Sequence, residues 1–285
     1  MDGETQVVGI LGNPIEHTAS PGMHTAAFQK TKLNFAYVPF LIHGTKISAA
    51  AESIRTLGLA GVNVTAPFKE KIIPYLDKLS VEAKLIGAVN TIKNDNGVLT
   101  GYNTDGDGFI ESLKDVSKKF TPKGKNVVII GAGGAARAVG IALARKKIKS
   151  LTISDVVDGK AKALAQYIKS KIKIKVQGVA ANTQQFYDLA EASDLLINAT
   201  PIGMQPKTGM SPLDNVTVIH PRQLVCDLIY NPEQTKFLKL AKHLGAKTQN
   251  GLGMLLYQGV LAFEIFTGHK APVQVMREAL LKYMS

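Results

Sequence analysis

Apolar and polar positions alternate along the chain in blocks that set strand lengths against helix lengths. Val7–Leu11, Phe35–Phe40 and Gly61–Val64 are short apolar runs bounded by turn residues, and they predict strands. Between them, Met23–Lys32 and Lys46–Leu57 carry the spacing of helices. That β-α-β order predicts a largely parallel sheet. Ala88–Lys93 and Val98–Tyr102 flank Asn94-Asp95-Asn96-Gly97, whose Asn-Gly pair favours a tight hairpin. A hairpin pairs antiparallel, so the first sheet is expected to be mixed. Asp105–Val116 reads as a helix and Lys118–Lys125 as a polar linker.

The second half continues the alternation. Strand Asn126–Ile130 runs into a glycine-rich turn and an Ala-rich helix. Strand Leu151–Ser154, helix Lys160–Lys171 and a strand near Ile174–Val179 follow. Leu195–Ala199 and Leu224–Leu228 read as strands, and Glu233–Leu244 as a helix. Leu252–Thr267 and Val273–Tyr283 are helices with no partner strand, expected to pack back on the first domain. The expected class is α/β, with an N-terminal mixed α/β substrate domain (1–117), a doubly wound parallel-sheet Rossmann domain (118–250) and C-terminal helices (251–285).

A length of 285 residues suits two domains. No apolar run approaches the roughly 18 residues of a membrane span, and the N-terminus lacks the pattern of a signal peptide. A single cysteine, Cys226, excludes an internal disulfide, so a cytoplasmic location is expected. The net charge of +12 raises the question of nucleic acid, with lysines at Lys146, Lys147, Lys149 and along Lys169–Lys175. Nucleic-acid binding normally adds a recognisable reading module or interleaved aromatics, and neither is visible. A solvated lysine face is the expectation, with small-molecule partners, no nucleic acid and no membrane. No Cys/His spacing suggests a metal site.

Gly131-Ala132-Gly133-Gly134-Ala135-Ala136 stands between strand and helix as a GxGxxA loop. Gly131 permits a tight turn, Gly133 lets backbone approach a pyrophosphate, and the helix N-terminus offers N–H groups to it. Asp155 ends the next strand, roughly 20 residues after the loop, where a carboxylate binds ribose hydroxyls. The alternative is a glycine-rich turn that binds nothing. Elsewhere, polar segments stand just past strands, where open α/β sheets place ligands. Thr18 and Ser20 are suited to a carboxylate or to capping a helix. Lys69 follows an apolar turn and fits proton transfer or a surface position. Asn90 and Asp105 flank the hairpin and fit a shared cleft, or helix capping for Asp105.

The segments VTAPFK, GAVNT, GYNTDGDGF, GAGGAAR, NATPIGM, DLIYNP and GLGMLLYQG, in this order, resemble the shikimate dehydrogenase family, including its quinate/shikimate branch. The resemblance spans nearly the whole chain. It implies Lys69 as the proton-transfer group, with Asp105 as its partner. It implies Thr65, Asn90 and Gln258 on the ring hydroxyls, and Thr18, Ser20 and Tyr230 on the substrate carboxylate. Gly131, Ala132, Gly133, Gly134 and Ala135 would bind the pyrophosphate, with Thr200, Leu228, Gly251 and Met254 near the nicotinamide half.

Two departures from the family pattern bear on specificity. The biosynthetic branch typically ends its second Rossmann strand in Asn-Arg-Thr, whose arginine receives the 2′-phosphate of NADP. This chain has Ser154-Asp155-Val156, so NAD is expected over NADP, with Lys160 and Lys162 close enough to soften the discrimination. Thr18 stands where serine is usual, which opens quinate as a further substrate beside shikimate. The alternative is an NADP-dependent biosynthetic shikimate dehydrogenase. A non-catalytic ligand-binding relative is more distant, because it should have lost Lys69, Asp105 or the glycine loop. Monomer and homodimer both stay open.

Overall fold

A computed structural model of the chain describes residues 1–116 and 120–284; the expected domain boundary at 117 and the first positions of the expected linker, 118 and 119, lie outside the described residues. The chain forms two compact units. One comprises Met1–Gly108 and the chain from Leu256 onward, the other Phe109–Leu255.

The first unit holds a six-stranded sheet in the order β2-β1-β3-β5-β6-β4. Its strands are β1 (Gln6–Gly12), β2 (Phe35–Leu41), β3 (Gly61–Val64), β4 (Lys78–Leu79), β5 (Thr91–Asp95) and β6 (Val98–Tyr102). β1 lies parallel to β2 and β3, while β5 runs antiparallel to both β3 and β6. The mixed sheet expected from the Asn-Gly turn is therefore present. Asn96 and Gly97 take φ of 53° and 91°, the positive pair that a two-residue hairpin of this twist requires. One consequence of these directions governs the site. The C-terminal ends of β1, β3 and β6 and the N-terminal end of β5 share a single edge of the sheet.

The α-helices that fall wholly or partly in this unit are α1 (Ser20–Thr31), α2 (Ile47–Thr56), α3 (Val81–Ile86), α4 (Asp105–Val116), α9 (Leu252–Thr267) and α10 (Val273–Met284). α10 packs on α1, so the C-terminal helices do return to the N-terminal part of the chain. The core between α1, α9 and β2 is aromatic. Phe28 stacks on Phe35 and Phe263 at 5.1 and 5.4 Å between ring centroids. His24 is buried within it and lies flat on Tyr37, 4.5 Å between centroids. Burial without a counter-charge pushes the His24 pKa down to about 3, so its ring is neutral and packs as an aromatic.

The second unit is a parallel sheet in the order β12-β11-β10-β7-β8-β9. Its strands are β7 (Asn126–Ile130), β8 (Ser150–Asp155), β9 (Lys175–Ala180), β10 (Leu195–Asn198), β11 (Leu224–Asp227) and β12 (Lys247–Gln249). Helices α5 (Gly134–Arg145), α6 (Asp158–Lys171), α7 (Gln184–Glu191) and α8 (Lys236–His243) connect them. β7, β10 and β11 are almost wholly buried, which explains their unbroken apolar sequences. The chain enters at β7, builds β8 and β9 to one side, then crosses to β10 on the other. That reversal creates a topological switch point between β7 and β10, where such sheets bind their ligands. The lysines of the 169–175 stretch are exposed; Lys169 and Lys171 sit in the last turn of α6, where cations complement the helix dipole.

Phe263 is fully buried against His24 and Phe28. Phe263→Ala is expected to cost about 3–5 kcal/mol, read as a lowered urea midpoint.

Candidate functional site

The shared edge of the first sheet brings together loops that are distant in sequence. After β3 the chain turns at 65–69, and the Lys69 carbonyl accepts the Val89 N–H at 2.8 Å. Thr65 N–H donates to Leu11 O and Asn13 N–H to Ala66 O, which stitches the loops after β1 and β3 together. Ala88–Asn90, expected as strand, precede β5 because their backbone bonds go to this loop and to Tyr102 instead of to a regular ladder.

Lys69 Nζ meets Asp105 Oδ2 at 2.6 Å, although the two are 36 residues apart in sequence. Their side chains are 33% and 14% exposed, so the pair is half-shielded yet reachable. Capping falls to Asn103, whose Oδ1 accepts the Asp105 N–H at 3.1 Å. The Asp105 carboxylate is therefore free to face Lys69, at a helix N-terminus that favours negative charge. Its other oxygen accepts from Asn90 Nδ2 at 2.8 Å.

Asn90 is buried and its amide is saturated. Nδ2 also donates to Thr104 Oγ1 at 2.9 Å, and Oδ1 accepts from Thr104 N–H at 2.9 Å and Thr91 Oγ1 at 3.0 Å. In this structure it orients Asp105. Gln258 lies on α9 beside Gly108, where a Cβ would come within 2.6 Å of the Gln258 backbone nitrogen. Glycine at that position lets the start of α4 approach α9 closely. Thr18 Oγ1 accepts the Ser20 N–H at 3.4 Å, and α1 has no side-chain cap, so the capping alternative does not hold for this pair. Thr65 sits half-buried against Gly12, where a Cβ would strike its methyl group. Tyr230 belongs to the second unit.

In the second unit, Gly131 turns with φ of 103°, and a Cβ there would come within 3.0 Å of Ala199 and Thr200 across the switch point. At Gly133 and Gly134 a Cβ would meet no protein atom within 4 Å. Nothing in the chain itself demands glycine there, whereas close approach of a pyrophosphate does. Ala132 N–H donates to Asp155 Oδ2 at 2.9 Å and Val157 N–H to Oδ1 at 2.9 Å, so the Asp155 carboxylate is tied to the loop. These residues fit a dinucleotide.

The residues that the resemblance assigns to the nicotinamide side rest on a buried pair that sequence reading missed. Asn198 Oδ1 holds Thr200 through its N–H and hydroxyl, at 3.0 and 2.7 Å. Its Nδ2 donates to Asp227 Oδ1 at 3.0 Å, and Asp227 also accepts from Ile229 N–H and from the Thr235 hydroxyl. Gly251 packs so tightly against the Leu228 carbonyl that a Cβ would collide with it, and Gly251 N–H donates to Ile229 O at 2.9 Å. Met254 is half-buried two residues further into α9 than its first residue, Leu252. The signal for the buried pair lay in polar residues that end the apolar strands β10 and β11.

Fold and site define an α/β oxidoreductase with a dinucleotide-binding half. Comparison with known proteins narrows this. Residues 10–92 match the shikimate dehydrogenase substrate binding domain, and residues 251–281 the shikimate 5′-dehydrogenase C-terminal domain. A shikimate dehydrogenase (NADP(+)) from Desulforamulus reducens is 47% identical over 285 residues, covering 100% of this chain and 98% of that protein. A crystal structure of shikimate dehydrogenase in complex with NADP+ is similar with a TM-score of 0.91 and 41% identity, covering 100% of this chain and 98% of that one. The Listeria monocytogenes shikimate 5-dehydrogenase, in complex with shikimate and NAD, gives 0.93 and 38%, with 98% and 97% covered. The chain belongs to the shikimate dehydrogenase family.

Burial pushes the Asp227 carboxyl above the usual carboxylate range, against the hydrogen bonds from Thr235, Ile229 and Asn198 that favour its charge. A raised folded-state pKa means that the native state holds this proton longer than the unfolded chain does. Stability from this group is then lost as pH rises above the ordinary value of 3.8. Asp227→Asn cannot titrate, and its altered bonding to Thr235 adds only a pH-independent cost. The melting temperature of Asp227→Asn minus that of the unsubstituted protein should therefore climb from about pH 4 upward. A flat difference across that range contradicts the assignment.

Proposed function

We propose that the protein catalyses the reversible oxidation of shikimate to 3-dehydroshikimate with a nicotinamide dinucleotide. The observation that carries this is the Lys69–Asp105 contact at the sheet edge, in a chain of this family. Bound nicotinamide supplies the hydride acceptor. In the oxidation direction Lys69 Nζ, as an amine, takes the hydroxyl proton as the C–H hydride departs; in reduction the ammonium returns it. Asp105 aims Nζ and has lone pairs left for a neighbouring ring hydroxyl. Thr65 and Gln258 are assigned to ring hydroxyls. Asn90 is assigned first to Asp105, because its amide has no spare donor. Thr18, Ser20 and Tyr230 are assigned to the carboxylate. Gly131 to Ala135 take the pyrophosphate, while Thr200, Leu228, Gly251 and Met254 line the nicotinamide side. The first unit is the substrate domain, and the second binds the cofactor.

NADP is the cofactor that the relatives support. The Desulforamulus protein is named for it, and the 41%-identical structure holds it. This is the reverse of the preference expected from Asp155. Both oxygens of that carboxylate are engaged by backbone N–H groups, which spreads its charge into the loop. The exposed Lys160 and Lys162, in the first turns of α6, add the positive charge that a 2′-phosphate needs. NAD is the second reading, favoured by the carboxylate itself and by the Listeria structure's cofactor. Quinate, which Thr18 would admit, is a further candidate substrate. A cytoplasmic location is supported by the lone, buried Cys226, whose thiol burial holds above its ordinary pKa and so keeps unreactive. Among the described residues no helix is long and apolar enough to cross a membrane.

Lys69→Ala should lower kcat for shikimate oxidation by roughly 10²- to 10⁴-fold with little change in KM. Near-normal turnover removes Lys69 from the reaction. Following nicotinamide absorbance with shikimate and quinate, each against NADP+ and NAD+, is expected to give the highest kcat/KM for shikimate with NADP+. A higher value with NAD+ makes Asp155 the specificity determinant.

A further inference from the structure

The side chains that hold the Lys69–Asp105 pair are themselves held by a second, continuous layer. Tyr37 on β2 donates its hydroxyl to Asn63 Oδ1 at 2.7 Å. Asn63 on β3 donates Nδ2 to the Asn90 carbonyl at 3.1 Å and to Thr91 Oγ1 at 3.0 Å. Thr91, paired with Asn63 across β3 and β5, donates its hydroxyl to Asn90 Oδ1 at 3.0 Å. Tyr37, Asn63, Asn90 and Thr91 are 7, 6, 3 and 0% exposed, so these bonds are shielded from bulk water.

The polarity of each bond is fixed by backbone groups at the ends. The Asn90 carbonyl can only accept, so the Asn63 amide must turn Nδ2 toward it and Oδ1 toward Tyr37. The Thr104 N–H can only donate, so Asn90 must turn Oδ1 toward it. Asn90 Nδ2 is then left facing Asp105 Oδ1. Thr91 is where these two constraints meet, accepting from Asn63 and donating to Asn90. Without its hydroxyl, Asn90 Oδ1 keeps only Thr104, and Asn63 Nδ2 keeps only the Asn90 carbonyl. The fold retains partners for both, but the Asn90 amide loses one of its anchors.

We propose that Thr91 is a positioning residue for the dehydrogenation. Its hydroxyl locks the Asn90 amide with the donor edge toward Asp105, and that in turn keeps Asp105 Oδ2 on Lys69 Nζ. The inference rests on the reading of Lys69 and Asp105 as the reacting pair. Its competitor is a packing role, in which the Thr91 methyl group merely fills the core. Valine and serine separate the two, since valine keeps the shape without the hydroxyl and serine keeps the hydroxyl without the methyl.

The unsubstituted protein is assayed first for shikimate-dependent reduction of NADP+ and NAD+. Failure at that step ends the functional reading, and this inference with it. Given activity, Thr91→Val is expected to lose roughly 10- to 100-fold in kcat, with the shikimate KM held within about twofold. Thr91→Ser is expected to recover most of the turnover. Tyr37→Phe, two bonds further out through Asn63, should lose kcat in the same direction by a smaller factor. Undiminished kcat in Thr91→Val, a change confined to KM, or Thr91→Ser falling below Thr91→Val each overturns the inference. Should Thr91→Val fail to fold by circular dichroism, Thr91→Ser and Tyr37→Phe decide: poor turnover in the serine variant, or undiminished kcat in Tyr37→Phe, refutes it.

Discussion

An ammonium and a carboxylate 2.6 Å apart must be brought from positions 36 residues distant in the chain, and strand direction does this before any side chain takes part. β3 delivers Lys69 just past its C-terminal end, and β6 delivers Asp105 in the same way. They share an edge only because β5 runs antiparallel between them. The hairpin turn at Asn96-Gly97 lies at the opposite end of β5 and β6, yet it sets the register Thr91↔Tyr102 on which Asn90 and Asp105 depend. A slip of one residue would exchange the faces of every side chain on these strands. Thr91 would then point away from Asn63, and the buried network would leave several polar atoms unpaired, each costing about 1–3 kcal/mol. The register of the sheet and the geometry of the Lys69–Asp105 pair are thus enforced by the same groups.

The second unit meets a different constraint. A parallel sheet buried on both faces leaves its binding edge to be shaped by the residues that end each strand. Gly131, Asp155, Asn198 and Asp227 stand at the ends of, or just past, β7, β8, β10 and β11. Asp155 ties the strand end to the glycine loop, and the Asn198–Asp227 pair fixes Thr200 and the turn after β11. Asp227 does this at a cost, because a buried carboxylate needs every available donor to remain charged. That its pKa still rises shows desolvation outweighing three hydrogen bonds.

Most of this architecture was legible because its signals are local. The Asn-Gly turn, the glycine loop and the apolar strands identify themselves, and α4 and α9 run over the residues their patterns predict. α3 escaped notice because a helix of 6 residues is too short to show a periodicity. α7 escaped as well, although α8, also of 8 residues, was expected. β12 escaped because its sequence, Lys-Thr-Gln, is polar throughout. Asn63 and Thr91 were invisible for a different reason. In sequence Asn63 is a lone polar position in an apolar strand and Thr91 one of several polar positions in its own, indistinguishable from solvent-facing residues until the partner strand is known. Their meaning is carried by pairing across the sheet, which no single segment contains.

The same distinction explains why Asp155 pointed one way and the relatives another. Read as an isolated residue, a carboxylate at the end of β8 repels a 2′-phosphate. In the structure it is also the acceptor that holds Ala132 and Val157, so part of its charge serves the glycine loop. A group with that structural task is needed whichever dinucleotide binds, which loosens the link between its sign and the cofactor selected. The exposed first turns of α6 carry lysines at 160 and 162, opposite in sign to Asp155. On the reading proposed above, cofactor choice depends on the balance between one engaged carboxylate and two exposed cations, and screening by salt weakens the exposed cations more than the engaged group.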